Sequence, residues 1–436
     1  MNKIFASIGA VALGTTAVQA AGGVEMVDPT KPWSVSASLR GFYDDNYVTA
    51  PKGAERDSYG IEVRPSAALY FPLEQTTLGL RYTLGAKWYQ DREDLSSSND
   101  PWDFSHELDA FLNHQFSQRY LLDVRDSFVI TQEPELLSGN GPVTSPFRTE
   151  SDNMRNLAEA NFTAVLTREL SLVLGYQNTW VDYDSSGPVD DGVGNISASL
   201  SGRLDRMQHL GLINLRWQAR KDSVVVFGYN YGQVGYLSDE KIAYLGTFPT
   251  GQYVNSDYRD NTSHYGYVGL DQTVSKDLMF TLRGGVQAID YVNDPQSDSE
   301  LSPYGQVSLT YKYLPDSQFS VGWTYSHSAT DIVAPSATGQ ITQDQESSYL
   351  FASINHHLSP FLTGYVNGFW QNSSFNGGAF DGEIDNFYGV GFGLRYRFNQ
   401  NLSGDLGYSF DTLASDVPNR GEYDRNRVHI GVTATY

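Results

Sequence analysis

Cysteine is missing from all 436 residues, which excludes a disulfide framework and any thiolate metal site. Long apolar runs are missing too. Beyond the N-terminus no stretch approaches the ~20 apolar residues that a membrane-crossing helix requires. Bases are in deficit: 29 Lys and Arg stand against 51 Asp and Glu, for a net charge of −22. So acidic a chain repels nucleic acid, and its bases are scattered rather than gathered into a patch, so no nucleic-acid partner is expected.

What is abundant is equally pointed. The chain carries 41 Gly, 29 Tyr, 22 Phe and 7 Trp, an allotment that suits the wall of a membrane barrel, with aromatic belts at two interfaces and small residues between. The N-terminus has Lys3, an apolar stretch from Ile4 to Leu13, and Val18-Gln19-Ala20 ahead of Ala21. A charged start, a short apolar region and a small-residue cleavage site read as a secretory signal over 1–20, leaving 21–436 as one barrel domain. Its removal takes away one base and no acid.

Period two is the main pattern. Val428, Ile430, Val432, Ala434 and Tyr436 are apolar, while Arg427, His429, Gly431, Thr433 and Thr435 between them are polar or small. The same alternation recurs along the chain and leaves no second layer to cover the apolar faces; lipid can cover them. Tight connections alternate with long ones. The tight ones fall at Pro72–Gln75, Ser117–Arg119, Thr167–Glu169, Arg220–Asp222, Ser275–Asp277, Pro315–Ser317, Ser359-Pro360 and Asn399–Asn401. Eight such turns divide the chain into nine hairpins. The expected fold is therefore all-β, a transmembrane antiparallel up-and-down β-barrel of about eighteen strands.

By the same rule the tight turns face the periplasm and the long connections face outward. The long ones are acidic, as in Asp182–Asn195 and Asp290–Glu300. Thr131–Asp152 and Tyr236–Asp260 are unusually long, and the second carries Ile242, Tyr244, Leu245 and Phe248. Such a loop either folds over the mouth or packs on its neighbours. Trp33, Phe71, Phe116, Tyr120, Trp217, Phe319, Tyr396, Phe398 and Tyr436 fall near the turn side. Trp88, Trp102, Trp180, Trp370 and Phe410 fall about ten residues further along, a rise of about 25 Å on a tilted strand.

Val428 to Tyr436, with Val428, Ile430, Val432 and Tyr436 as its apolar row, resembles the terminal assembly signal of outer-membrane barrels, with Tyr in place of the commoner Phe. That resemblance implies the barrel-assembly machinery as a partner. The chain as a whole resembles the putative beta-barrel porin 2 family. The marks are Gly41-Phe42-Tyr43-Asp44-Asp45-Asn46, Ser66-Ala67-Ala68-Leu69, and turn-plus-strand units such as Leu278 to Tyr291. The resemblance implies a place in the outer membrane amid lipid and lipopolysaccharide. That family is often associated with exopolysaccharide export, which keeps a second function open.

Strand parity assigns side chains to the lumen. The basic candidates are Arg40, Arg64, Arg81, Lys87, Arg125, Arg155, Arg206, Arg216, Arg283, Lys312, Arg395, Arg397 and Arg427. The acidic ones are Glu62, Glu107, Asp109, Asp123, Glu159, Asp405 and Asp411, and folding about Gln400 sets Arg395 opposite Asp405. Ser, Thr, Asn, Gln and Gly are expected to fill most other inward sites. The bases either line a path for polar or anionic solutes or form a cross-strand network that stiffens the wall.

Other motifs carry less. Gly389-Val390-Gly391-Phe392-Gly393 superficially resembles a dinucleotide loop, but no helix follows and a strand sends those glycines one way. His356 and His357 point to opposite faces. His429 is expected inward near Asp411, which is not by itself a catalytic arrangement. No spacing resembles an EF-hand loop. The reading is a passive channel for small hydrophilic solutes, with no enzymatic site, cofactor or metal. The alternative is an accessory barrel for exopolysaccharide export or surface anchoring. A homo-oligomer stays open, because no interface is legible.

Overall fold

The computed structural model describes residues 31–92, 100–134, 136–137, 142–148, 152–185, 187–192, 194–294 and 300–436; the signal expected over 1–20 lies outside them. The strands are β1 (Trp33–Asp44), β2 (Ser58–Pro72), β3 (Thr76–Tyr89), β4 (Trp102–Ser117), β5 (Tyr120–Thr131), β6 (Asn153–Val165) and β7 (Leu170–Tyr183). Short β8 (Val189–Asp190) and β9 (Ile196–Ser197) precede a helical turn, α1 (Leu200–Leu204). Then come β10 (Arg206–Arg220), β11 (Ser223–Tyr236), β12 (Lys241–Leu245), β13 (Gln252–Asn255), β14 (Asn261–Ser275), β15 (Leu278–Tyr291) and β16 (Glu300–Leu314). The last are β17 (Ser317–Ser328), β18 (Asp344–Ser359), β19 (Leu362–Asn376), β20 (Ile384–Arg397), β21 (Leu402–Ser415) and β22 (Tyr423–Thr435).

Among the described residues eighteen of these strands form one sheet, each antiparallel to its neighbours in sequence, and β1 pairs with β22 to close it. The pairs β8–β9 and β12–β13 are separate hairpins in long loops. Closure removes the sheet edges, which in hydrocarbon would carry unsatisfied backbone groups. Tyr436 extends the seam: its amide donates to the Val35 carbonyl at 2.8 Å, and its ring packs 5.8 Å from Trp33.

The alternation sorts the wall into two faces. Along β20, Tyr388, Val390, Phe392 and Leu394 are exposed on the outside, while Gly389, Gly391 and Gly393 face in. The terminal row Val428, Ile430, Val432 and Tyr436 is likewise outward and exposed. Across this apolar band runs a belt of side-chain hydrogen bonds on the outer surface. Tyr82, Tyr176 and Tyr229 bond His106, His209 and His264 at 2.8, 2.6 and 2.7 Å. Trp323 donates to Ser348 at 2.8 Å, Tyr408 donates to Asn426 at 2.6 Å, and Asn156 donates to Asp126 at 3.1 Å.

Tyr82, Asp126, Tyr176, Tyr229, Trp323 and Tyr408 each stand seventh in their strands. Equal position gives equal height, so the belt marks one level. From Val428 to Tyr436 the outward row below it spans about 20 Å at ~3.3 Å per residue and a ~40° tilt, and Val390 and Tyr388 continue the apolar band above it.

The long loops do not extend freely. Loop 237–260 folds into the β12–β13 hairpin, and Ile242, Ala243, Leu245, Val254 and Tyr258 pack with Ile341, Ala198 and Val333. Of the two fates open to this loop, packing on its neighbours is the one adopted. Arg259, fully buried, fastens it: its guanidinium donates to the carbonyls of Gln343, Arg203 and Thr330 at 3.0, 2.9 and 2.9 Å. Three loops are thereby joined by one side chain. The connection read from sequence as Asp182–Asn195 runs on through α1 to Asp205, because Ser199 caps the helical turn by accepting from the Gly202 amide.

Candidate pore

An eighteen-stranded cylinder is wide enough for water unless something fills it. Here a loop does. After β5, the described residues of segment 132–148 leave the wall, and 136–137 and 142–148 lie against the opposite side. Leu136 packs with inward Tyr349, Phe351, Phe369, Phe387, Leu413 and Tyr423, joined by Leu137, Val143 and Phe147. Polar side chains of the far wall clasp its backbone. Gln371 accepts from the Val143 amide at 2.6 Å and donates to its carbonyl at 2.9 Å. Asn367 donates to the Leu137 carbonyl at 3.2 Å, and Tyr423 to that of Pro146 at 2.8 Å.

The expectation of a polar interior therefore fails on one side. The aromatic residues of β18–β20 that face inward alternate with outward ones, as in Phe369-Trp370 and Phe387-Tyr388, so both parities are apolar. One face meets lipid and the other meets the loop. A second inward apolar cluster joins Val173, Leu212, Val226, Tyr267 and Tyr304.

At its root the segment is held by charge. Glu133 lies 3.0 Å from Arg425, 3.5 Å from Lys87 and Arg427, and 3.6 Å from Arg148. Burial alone would raise this carboxyl; the cations around it hold it well below the usual carboxylate range. Arg148 and Arg92 also pair with Asp103, and Arg425 with Asp44 at 3.0 Å. Cations from β3, β22 and the far end of the segment thus converge on one carboxylate.

Strand parity places every lumen candidate on the inner face, but their partners differ. Arg64 pairs with Glu107 at 2.7 Å and Arg81 with Asp109 at 2.6 Å, both arginines 30% exposed. Arg125 pairs with Asp123 at 3.1 Å. Glu159 stands opposite Arg125 in register. Arg283 and Arg216, by contrast, are buried on the two oxygens of Asp271 at 2.6 and 2.8 Å. The solvated charge thus lies along β2–β6, while the β10–β15 side is filled.

In mid-wall Arg40 lies 3.6 Å from Glu62 and 3.2 Å from Asp405. Arg395 is opposite Asp405 in register, Arg397 donates to the Pro360 carbonyl at 3.0 Å, and Arg427 pairs with Asp411 at 3.0 Å. His429 corrects an expectation: its carboxylate is Asp405, 3.1 Å from Nε2, and not Asp411, which is occupied by Arg427. The register explains it, for His429 pairs with Gly407 and Gly431 with Asp405. Arg155 and Arg206 flank Val181 on the two strands that pair with β7.

Sequence reasoning passed over Glu133, Arg148 and Arg425, whose meeting depends on loop path. It also passed over His327, whose Nδ1 lies 2.9 Å from Asp344 and Nε2 3.1 Å from Glu346.

Residues 320–436, from β17 to the C-terminus, match the family model described as Putative beta-barrel porin 2. The terminal Val428–Tyr436 lies inside that match; Gly41–Asn46 and Leu278–Tyr291 lie outside it. No curated protein matches the chain. Among solved structures, OccAB4 of Acinetobacter baumannii is 14% identical, with 94% of this chain and 100% of that chain covered at a TM-score of 0.44. The outer membrane protein OpdK of Pseudomonas aeruginosa is 12% identical over 93% and 99%, at 0.43. OpdQ of the same species is 11% identical over 92% and 98%, at 0.41. A closed eighteen-stranded barrel with an apolar outer band is an outer-membrane β-barrel, and its last quarter matches a porin family model.

Proposed function

We propose that this chain is a porin-like channel through which small hydrophilic solutes diffuse passively, narrowed by segment 132–148. The observation that carries the reading is the division of the lumen: the segment fills the side lined by β18–β22, and the exposed ion pairs of β2–β6 remain. A wall of alternating charges solvates polar solutes, and a cylinder of this strand number leaves room for water beside the segment. On this reading Arg64, Arg81, Arg125, Asp109 and Glu159 line the path, and the chemistry is diffusion rather than catalysis. The barrel sits among outer-membrane lipid and lipopolysaccharide, and its last strand is the assembly signal.

The accessory-barrel reading draws on the outer loops, which Arg259 and Arg420 tie to one another. Liposome swelling separates the two. Vesicles carrying the folded protein should swell in pentoses and progressively less in larger sugars. Vesicles that stay impermeable to the smallest sugar would overturn the channel reading and favour export or anchoring.

A further inference from the structure

Where loops 184–205, 329–343, 377–383 and 416–422 meet, they leave a cleft of about 450 Å³. Its walls are apolar, formed by Ile332, Val333, Phe380 and Val417, and its charged lining is Arg203, Arg420 and Asp331. Such a mixture, a mostly apolar concavity with few polar groups, is the usual form of a small-molecule site.

The charges are unequally satisfied. Arg420 is neutralised twice, by both oxygens of Asp331 at 3.0 and 3.2 Å and by Asp385 at 2.8 Å. That leaves Asp331 occupied. Arg203 is held only by main-chain carbonyls, its Nε donating to Ser199 at 3.1 Å and its NH1 to Asp331 at 2.8 Å. Behind it, Arg259 spends its donors on three carbonyls, and buried Arg206 donates to the Leu204 carbonyl at 2.8 Å. Among the described residues none of these three guanidiniums has a carboxylate within pairing distance.

A chain of net charge −22 thus gathers, at and behind one apolar cleft, guanidiniums that no carboxylate pairs. Buried cations without a counter-charge are costly, and a bound anion would remove that cost.

We propose that the cleft is a binding site, on the outer side of the barrel, for a small organic anion. Its apolar body lies on Ile332, Val333, Phe380 and Val417, and its carboxylate takes the remaining donors of Arg203. A carboxylate matches a guanidinium fork in shape and charge, whereas a bare inorganic anion leaves the apolar walls uncovered. If the chain is a channel, this site names the class of solute that collects at its mouth. Binding itself does not depend on that reading.

The test is calorimetric titration of the full chain, folded in detergent, with benzoate as the probe and benzamide as its neutral counterpart. Benzoate should bind at least about tenfold more tightly than benzamide, the ratio expected when one charge-assisted hydrogen bond of about 1.5–3 kcal/mol is lost. Arg203→Gln should lower benzoate affinity by a similar factor and leave benzamide unchanged. Val333→Glu, on the apolar wall of the cleft, should weaken benzoate by placing a second carboxylate there. Equal binding of the two probes, no response to either substitution, or no binding of millimolar benzoate to heat-modifiable wild-type protein would each overturn the proposal. Conduction without benzoate binding sinks this site alone. Benzoate binding without conduction sinks only the channel.

Discussion

Replacing Glu133 with Gln removes the one carboxylate on which Lys87, Arg148, Arg425 and Arg427 converge, at distances between 3.0 and 3.6 Å. The side chain keeps its shape, and the cations keep their burial without its charge. Breaking a buried ion pair by removing one partner costs about 3–5 kcal/mol. Arg148 and Arg425 each retain another carboxylate, Asp103 and Asp44, so the lower end of that range applies. A loss of about 3 kcal/mol changes the ratio of released to docked segment by about two orders of magnitude. The apolar contacts of Leu136, Leu137, Val143 and Phe147 and the clasp at Gln371 are untouched. Release should therefore be intermittent: single-channel recordings of Glu133→Gln should show a second, larger conductance level with frequent transitions. Gln371→Ala, which unclasps Val143, should act in the same direction but more weakly. A conductance trace identical to wild type from both variants would refute the latch.

The face assignment predicts that Val432→Arg or Leu394→Arg costs roughly 2–4 kcal/mol in folding titrations while Thr433→Arg costs little; the reverse order would invert every lumen residue. Deleting Tyr436 removes the pairing with Val35 and the contact with Trp33, and should leave unfolded protein in the periplasm, scored by loss of heat-modifiable surface protein. Asp205, buried under loop 184–205 and close to Asp182, has its carboxyl pushed up to about 7. A raised folded-state value contributes stability that is complete below the ordinary carboxyl range and is lost as pH rises through about 7. Protease cleavage of that loop should accordingly quicken between pH 5 and 8, and Asp205→Asn should flatten the response; equal pH sensitivity in the variant would exclude Asp205 as its source.

Strand number and face were legible because one period and one kind of turn repeat without interruption. Gly389, Gly391 and Gly393 on one face, with Val390 and Phe392 on the other, specify both strand and orientation without any tertiary knowledge. Loop path was not legible in the same way. Tyr349, Phe351, Phe369 and Phe387 carry aromatic character on the inward parity, a departure from polar lining that the cluster around Tyr267 and Tyr304 shares. That departure was the available sign of a partner inside the barrel; the partner's identity was not available. Leu136, Leu137, Val143 and Phe147 could fill it only once the chain had crossed the lumen, and nothing local dictates the crossing. Arg259 illustrates the same limit, since its three acceptors lie in loops 56, 71 and 84 residues away. The wall arginines were found by parity, but parity cannot tell the solvated pair Arg81–Asp109 from the buried triad Arg216–Asp271–Arg283.

The central claim is that the lumen conducts and that segment 132–148 sets its width. Planar-bilayer recording tests it with two proteins, the wild type and a variant in which residues 134–148 are replaced by a short Gly-Ser linker, each verified as heat-modifiable. The account predicts discrete steps from the wild type and markedly larger steps from the variant. Equal steps would contradict the role of the segment, and silence from both folded proteins would contradict the channel.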